Sequence, residues 1–426
     1  MLNRGIGIFF VVVPLYIFGQ STKDDATLSV LSYARSLTST LCAPTYDGRG
    51  YVNHGCRKAG KLIVDEFKSN GLLPFQGSYE QVFNLNVNSF PDKCRVKLGR
   101  RKMKPGIDYL VHPSSSGFKG VLSLKSMTAT QILNYRFGAT HSNVAIAFAA
   151  NKGFSADSLK MVRSKLEKIA QTDCAVVEVT REKLTWSVSQ QQFKFPYISC
   201  FDTLQRQSYR KIKVNIDNEF LAGYEVRNCF GFVPSVKPSD SLIIVSAHYD
   251  HLGRMGKKTY FPGANDNASG IAMLMSLART IQQQPLQNHA VLFIAFAGEE
   301  IGLEGSFEFV ESGIIDLTKI SMVLNLDILG SGEDGITVVN GTVFPPFYQR
   351  LVELNKSIPA VPVVKSRGKA ANSDHYPFSE KGVPSLFIYT MGPNKNYHDI
   401  HDTYENLSFD RFESLHYLFL RFLNGF

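Results

Sequence analysis

Polar residues that could do chemistry follow apolar, strand-like runs in the second half of the sequence. The clearest case is VLFIAFAGEEIGLEGS, residues 291–306, in which an apolar run ends in Gly298 and two adjacent glutamates, Glu299 and Glu300. A run of this length predicts a strand that is buried on both faces. Successive side chains on an extended backbone point in opposite directions, so we expect the two carboxylates to have different roles.

Other candidate residues stand at corresponding positions after the neighbouring predicted strands. In chain order the candidates are His248, Asp250, His251, Asp266, Glu299, Glu300, Asp327 and His398. The carboxyl ends of the strands of an α/β sheet open onto one crevice, so these side chains are expected to converge. Imidazoles with several carboxylates form a mixed nitrogen and oxygen ligand set, which suits catalytic zinc. The ligands suffice for two ions joined by a bridging carboxylate.

The elements that must position these residues begin at about Ser241. SLIIVSAHYD and AVLFIAFA predict strands, and GIAMLMSLARTIQQQ predicts a helix with apolar residues at helical spacing. The strands SMVLNLDILG, ITVVN and VPSLFIY follow, with the helices GSFEFVESG, PPFYQRLVELN and FDRFESLHYLFLRFL between and after them. The sequence therefore predicts an α/β fold with a doubly wound, mostly parallel sheet and helices on both faces.

Residues 84–205 differ in composition from the rest of the chain. They contain Cys94, Cys174 and Cys200, β-like runs such as CAVVEVT, and one helical stretch, SADSLKMVRSKLEKIA. We expect an inserted β-rich domain at 84–205, between two parts of the main domain at 21–83 and 206–426. The insert is expected to bind substrate or a partner.

The chain has a net charge of +9, and its excess of basic residues lies in the first 200 residues, which hold 26 Lys and Arg and 13 Asp and Glu. The densest basic stretch is KCRVKLGRRKMK, residues 93–104. It has no interleaved aromatic residue to stack on a base and no helical face to enter a groove, so no nucleic-acid partner is expected. A solvated basic hairpin is the simpler interpretation, and attachment to an anionic surface or polymer is the alternative.

The first 20 residues have the layout of a secretory signal peptide. Arg4 precedes an apolar stretch at 6–18, and polar residues follow. About 13 apolar residues are few for a membrane span, so an uncleaved anchor is the weaker alternative. The protein is expected to be exported, periplasmic or extracellular, without stable membrane insertion.

The six cysteines all lie in the first 229 residues, and none forms a CxxC pair. An even number in an exported chain predicts disulfides, with Cys42 and Cys56 as a candidate pair because they are close in sequence. Buried free thiols are the alternative.

Six motifs in order carry a family resemblance: SAHYDHLG, PGANDNASG, AFAGEEIGLEGS, LNLDILG, SDHYPFSEKGVP and YHDIHDT. They closely resemble the co-catalytic di-zinc aminopeptidases of the transferrin-receptor and glutamate-carboxypeptidase type. The resemblance is close over 241–407 and looser at the amino-terminal segment, where GRGY, GLLPF and SYEQVF are typical of exported bacterial members. The stretch CAVVEVTREKLTWSVSQQQFKFPYISC resembles the protease-associated domain that is often inserted there.

The resemblance implies two zinc ions and a specific division of their ligands. Asp266 would bridge both ions, with His248 and Asp327 completing one site and Glu300 and His398 the other. These five residues are the predicted metal ligands.

The resemblance also implies catalytic and supporting roles. Glu299 would be the general base, Tyr397 would donate to the oxyanion, and Asp250 would fix the tautomer of the imidazole of His248. Four further polar residues, and a basic loop, are expected to be structural or solvated rather than ligands: His251, His375, His401, Asp402 and KSRGK at 365–369. The triplet at 373–375 is expected to shape the substrate pocket, and KSRGK could alternatively meet a substrate carboxylate.

An exported zinc aminopeptidase acting on peptides is the leading functional prediction. A carboxypeptidase or a single-zinc glutaminyl cyclase of the same family is the alternative with related chemistry, and a non-catalytic, receptor-like relative is the third. Loss of ligands would mark the third class, yet every expected ligand and the base are present in the sequence.

Overall fold

The computed structural model describes residues 29–138, 140–150, 154–201 and 209–426. Within these residues the helices are α1 (Val30–Leu41), α2 (Gly55–Ser69), α3 (Ala129–Leu133), α4 (Ala156–Thr172), α5 (Gly270–Gln283), α6 (Glu304–Glu311), α7 (Pro345–Ser357), α8 (His375–Glu380) and α9 (Phe412–Leu423). The expected signal peptide at 1–20 lies outside the described residues. None of the helices in the described ranges has the length and apolar character needed to cross a bilayer.

The strands form two large sheets and one short pair. They are β1 (Glu80–Ser89), β2 (Cys94–Leu98), β3 (Arg101–Lys102), β4 (Tyr109–Val111), β5 (Phe118–Ser126), β6 (His141–Ala149), β7 (Cys174–Thr180), β8 (Tyr197–Phe201), β9 (Lys211–Ile216), β10 (Glu219–Val233), β11 (Leu242–His248), β12 (Gly253–Arg254), β13 (Tyr260–Phe261), β14 (Ala290–Phe296), β15 (Ile320–Leu326), β16 (Gly335–Val339), β17 (Val364–Ser366) and β18 (Ser385–Met391).

The first sheet has the order β1-β10-β14-β11-β15-β18-β16-β17. Its four central strands, from β14 to β18, are parallel. On one side β10 is antiparallel to β14 and β1 is antiparallel to β10, and on the other β16 is antiparallel to β18 and parallel to β17. Every residue of β11 and β14 is buried, which explains why these strands are apolar throughout instead of alternating. The predicted α/β fold with a mostly parallel sheet is confirmed.

Helices cover both faces of this sheet. On one face α1, α2, α5 and α9 share a large apolar core, to which α5 contributes the predicted stripe that includes Ile271 and Leu274. On the other face Phe309 of α6 and Phe378 of α8 pack against Phe296 of β14. The sheet is thereby buried on both sides, and its carboxyl-terminal edge remains available for a site.

The second sheet has the order β3-β2-β9-β5-β6-β7-β8-β4, with α3 and α4 packed on it. It is the extra β-rich body that the sequence predicts, and β2 and β3 form the expected basic hairpin. The predicted limits of the insert, 84 and 205, do not coincide with the sheet. Residue 84 lies within β1, which pairs with β10 in the first sheet, and the second sheet runs from Cys94 to Ile216.

The expected disulfides, including the pairing of Cys42 with Cys56, are not shown by the structure. All six thiols are free and buried, and they are divided among separate cores. The first core holds Cys42, Cys56 and Cys229, the second holds Cys94 and Cys200, and the core of α4 holds Cys174. The alternative interpretation, cysteine as a small buried apolar residue, describes these positions.

Candidate metal and catalytic site

The candidate residues lie at one edge of the first sheet. His248 is the last residue of β11 and is paired in register with Phe296, the last residue of β14. Strand β15 runs parallel to β11 and ends at Leu326, immediately before Asp327. Parallel register therefore brings the ends of three strands together, as the sequence predicts.

Glu299 and Glu300 lie in a tight turn after β14 and not on extended backbone. Gly298 begins the turn with φ of +73°, a conformation that glycine adopts without strain. The N–H of Gly302 donates to the carbonyl oxygen of Glu299 at 3.0 Å, which closes the turn. The two carboxylates do point to different partners, but the turn directs them, so the argument from strand alternation was wrong.

The five predicted metal ligands form two half-sites that share Asp266. Its Oδ1 lies 3.4 Å from His248 Nε2, and its Oδ2 lies 3.1 Å from His398 Nε2. Asp327 Oδ1 is 3.4 Å from His248 Nε2, and Glu300 Oε2 is 3.1 Å from His398 Nε2. We call His248, Asp327 and Asp266 the first half-site, and Glu300, His398 and Asp266 the second half-site.

Glu299 borders the first half-site at a greater distance than the predicted ligands. Its Oε2 lies 3.9 Å from His248 Nε2, and the possible ligand atoms of His248, Glu299 and Asp327 are all within 4.8 Å of one another. Burial raises the pKa of Glu299 well above its usual value, and the charges of Glu300 and Asp374 raise it further, against the imidazole of His248. A carboxyl with a raised pKa is suited to accept and return a proton.

The electrostatics of the cluster fit a site for divalent cations. Burial lowers the pKa of His398, but the carboxylates of Glu300 and Asp266 outweigh it and raise this pKa to about 11. Asp327 Oδ1 is buried and has no hydrogen-bond partner among the described residues. Several carboxylates withdrawn from water are stable only when they are paired or coordinate a metal. The imidazole and carboxylate donors are those that zinc accepts.

Asp250, the predicted partner of His248, contacts its imidazole through the backbone oxygen and not through the carboxylate. His248 Nδ1 is 3.2 Å from the backbone oxygen of Asp250 and 3.8 Å from its carboxylate. Donation from Nδ1 to the backbone oxygen leaves Nε2 free for the half-site. The Asp250 carboxylate instead accepts the backbone N–H of Glu299 at 3.2 Å and so holds the turn that carries the glutamates.

Three residues support the ligands in ways that the sequence analysis missed. His251 Nδ1 is 2.6 Å from Glu300 Oε1. The carboxylate of Asp402 accepts the backbone N–H of Asp266 at 3.1 Å. The hydroxyl of Ser373 donates to Asp327 Oδ2 at 3.1 Å, so the triplet at 373–375 orients a ligand. These residues follow no helix or strand period. The available signals were the nearness of His251 to His248 and of Asp402 to His398, and the motif SDHYPFSEKGVP that begins at Ser373.

The donor cluster opens into a cavity of about 200 Å³. Besides four residues of the cluster, its lining consists of Ile328, Arg367, Asn372, Phe387, Tyr389 and Tyr397. The ring of Tyr397 stacks on that of His398, with 4.0 Å between centroids. Partial burial and the nearby carboxylates raise the pKa of Tyr397, so its hydroxyl keeps a proton to donate. His401 is exposed and His375 is buried, and neither belongs to the two half-sites.

The mostly parallel sheet with helices on both faces is the fold of zinc aminopeptidases of known structure. Residues 230–423 match the model of Peptidase family M28. The family resemblance inferred from the six motifs is confirmed.

Curated relatives include aminopeptidases from bacteria and fungi. Aminopeptidase YwaD of Bacillus subtilis is 27% identical over 180 residues, which are 40% of this chain and 38% of that protein. A probable leucine aminopeptidase of Arthroderma otae is 26% identical over 302 residues, 66% of this chain and 76% of that protein. The match to the Bacillus protein thus spans well under half of its length.

Solved structures share the fold over nearly the whole chain. A zinc aminopeptidase from Bacillus subtilis superposes with a TM-score of 0.70 at 18% identity, covering 92% of this chain and 94% of its own. A Peptidase M28 precursor from Shewanella amazonensis gives a TM-score of 0.70 at 14% identity, with 92% of each chain covered. Coverage of this extent takes in both sheets.

Proposed function

We propose that the protein is an exported, zinc-dependent aminopeptidase that hydrolyses the amino-terminal bond of peptides. The observation that carries the proposal is the pair of half-sites sharing Asp266, with Glu299 beside them. Both half-sites keep their donors, which argues against a single-zinc cyclase and against a non-catalytic, receptor-like relative. The aminopeptidase names of the relatives support the same activity. The proposal of export rests on the pattern of residues 1–20.

The residues of the candidate site have distinct parts in the proposed reaction. Two zinc ions held by the half-sites would polarise the scissile carbonyl and lower the pKa of the attacking water. Glu299 takes a proton from that water and passes it to the leaving amine, and its raised pKa makes its carboxylate a stronger base than that of an exposed glutamate. Tyr397 donates its hydroxyl proton to the developing oxyanion. His251 keeps the carboxylate of Glu300 oriented while charge moves beside it.

The direct test compares peptides with free and with acetylated amino termini. The zinc-loaded wild type is expected to cleave the free peptides and to spare the acetylated ones. Glu299→Gln should bind substrate but lose turnover by about 100-fold or more, because the variant cannot carry the proton. Equal cleavage of both peptides would overturn the aminopeptidase assignment, and full activity of Glu299→Gln would overturn the assignment of the base.

A carboxypeptidase is the second candidate, and Arg367 is the observation that favours it. Arg367 lines the cavity beside Glu299, its side chain is exposed, and it has no acidic partner among the described residues. A guanidinium matches a carboxylate in a two-pronged hydrogen bond, and the carboxyl terminus of a peptide is such a group. Lys369, in the same loop, is instead paired with Glu380.

This candidate is tested with peptides whose carboxyl termini are free or amidated. A carboxypeptidase would require the free carboxylate, and Arg367→Gln would then raise KM for it about tenfold, since a charge-assisted bond contributes about 1.5–3 kcal/mol. Lys365→Gln, an exposed neighbour on β17, is the matched control. Cleavage of the amidated peptides as fast as of the free peptides would exclude the carboxypeptidase.

A further inference from the structure

The second half-site is held in place by a segment from the body of the second sheet. We call residues 181–196, between β7 and β8, the bracing segment. The backbone N–H of Trp186 donates to the carbonyl oxygen of His398 at 2.9 Å. His398 Nδ1 in turn donates to the carbonyl oxygen of Trp186 at 2.9 Å. This bond occupies Nδ1 and leaves His398 Nε2 facing Asp266 and Glu300.

Lys183 of the bracing segment fixes the loop on both sides of His398. Its Nζ donates to the carbonyl oxygens of Lys395 at 2.7 Å and of Tyr397 at 3.2 Å. The same Nζ forms an ion pair of 2.5 Å with the buried carboxylate of Asp399. One ammonium group therefore ties together the residues immediately before and after His398.

Trp186 is itself anchored to the second sheet. Its indole Nε1 donates to the carbonyl oxygen of Val111 in β4 at 2.7 Å. Its ring stacks on Phe261, with centroids 4.7 Å apart and 25° between planes. His398 has φ of +52°, a left-handed conformation that is uncommon for residues other than glycine, so its position depends on such external contacts.

The first half-site has supports of a different origin. His248 Nδ1 contacts Asp250, and Asp327 accepts a hydrogen bond from Ser373, and all these residues belong to the body of the first sheet. We infer that Lys183 and Trp186 are positioning residues that set the zinc affinity of the second half-site and leave that of the first unchanged. The inference rests on the proposed metal centre, and it makes the body of the second sheet a working part of that centre.

Zinc titration against a competing chelator tests this inference without any substrate. Lys183→Met should lower the affinity for one of the two zinc ions by roughly 10–100-fold, which is the usual effect of removing a group that orients a ligand. Lys183→Arg should restore part of the affinity. Trp186→Phe, which keeps the stacked ring but loses the indole donor, should weaken the same ion. Lys194→Met is the matched control, since Lys194 is an exposed lysine of the same segment.

The ion affected is identified in ligand variants. In His398→Ala, which is expected to retain one zinc, adding Lys183→Met should change the remaining affinity less than twofold. If the wild type binds two zinc ions, and Lys183→Met lowers the affinity for both equally or for neither, the inference alone is overturned. A wild type that binds no zinc would overturn the proposed metal centre and the inference with it.

Discussion

Glu299 and Glu300 are adjacent in sequence and differ in what surrounds them. Burial raises the pKa of Glu300, but His398 and His251 outweigh burial and bring this pKa to about 2, so the carboxylate is charged and ready to bind a cation. The pKa of Glu299 is instead raised. Glu299 is therefore suited to proton transfer, and Glu300 is suited to bind a metal ion.

This difference predicts opposite effects on metal content at the scale of one residue. Glu300→Gln should lose one of two zinc ions, because an amide is a weak ligand, whereas Glu299→Gln should keep both. Metal analysis of the two purified variants beside the wild type measures the outcome. Loss of zinc from Glu299→Gln with retention in Glu300→Gln would reverse the two assignments.

The buried imidazole of His375 is expected to make the stability of the fold depend on pH. Burial lowers its pKa to about 4, while an unfolded histidine titrates near 6.5. Below pH 6.5 the unfolded chain binds a proton that the folded chain refuses until about pH 4, so this residue contributes a loss of stability over that range as the pH falls. Between pH 7 and pH 5 the loss amounts to about 2 kcal/mol.

Denaturant unfolding of metal-free protein at the two pH values measures this effect. Between pH 7 and pH 5 the free energy of unfolding should fall by about 2 kcal/mol less in His375→Phe than in the wild type, since phenylalanine does not titrate. His401→Phe, at an exposed position, should follow the wild type. The same pH dependence in His375→Phe and wild type would contradict the prediction.

At the scale of elements, the amino-terminal segment holds the loop that carries Asp266. The guanidinium of Arg49 is fully buried and donates to five backbone oxygens: Tyr249 at 2.8 Å, Leu41 at 3.3 Å, Pro262 at 2.7 Å, Gly263 at 2.7 Å and Asp266 at 3.2 Å. One side chain thus satisfies carbonyl groups from three separate parts of the chain. Buried carbonyl groups of this kind have no alternative partner in water.

Arg49→Lys is expected to destabilise the fold although it keeps the charge. A lysine cannot reproduce the planar fork, so several buried carbonyl oxygens lose their donors, at about 1–3 kcal/mol each. We expect the free energy of unfolding to fall by at least about 3 kcal/mol, measured by denaturant titration. Arg57→Lys, at a half-exposed ion pair with Glu225, should change it by less than about 1 kcal/mol. Equal effects of the two substitutions would contradict the proposed role of Arg49.

The predictability of the elements follows from their burial. The strands of the first sheet from β11 onward, except the short β17, were predicted because apolar runs bounded by turn residues identify fully buried strands. The candidate ligands were identified with them, since each lies at the end of such a strand or in the loop after it. The turn at Gly298 was not predicted, because it depends on the positive φ of that residue and on the hydrogen bond from Gly302 to Glu299, which follow no helix or strand period.

At the scale of the whole molecule, the limits of the second body could not be predicted from composition. The sequence of strand β1 does not indicate which sheet it joins, and it pairs with β10 of the first sheet. The contacts of Trp186 with His398 join residues 212 positions apart. No local pattern in the sequence indicates such a contact. The support of the second half-site could therefore be identified only from the structure.

The measurement that tests the central claim most directly is anomalous diffraction at the zinc edge from crystals of the zinc-loaded protein. We predict two peaks about 3.5–4 Å apart, one beside His248 and Asp327 and one beside Glu300 and His398, with Asp266 between them. A single peak, or peaks away from Asp266, would contradict the proposed dinuclear centre.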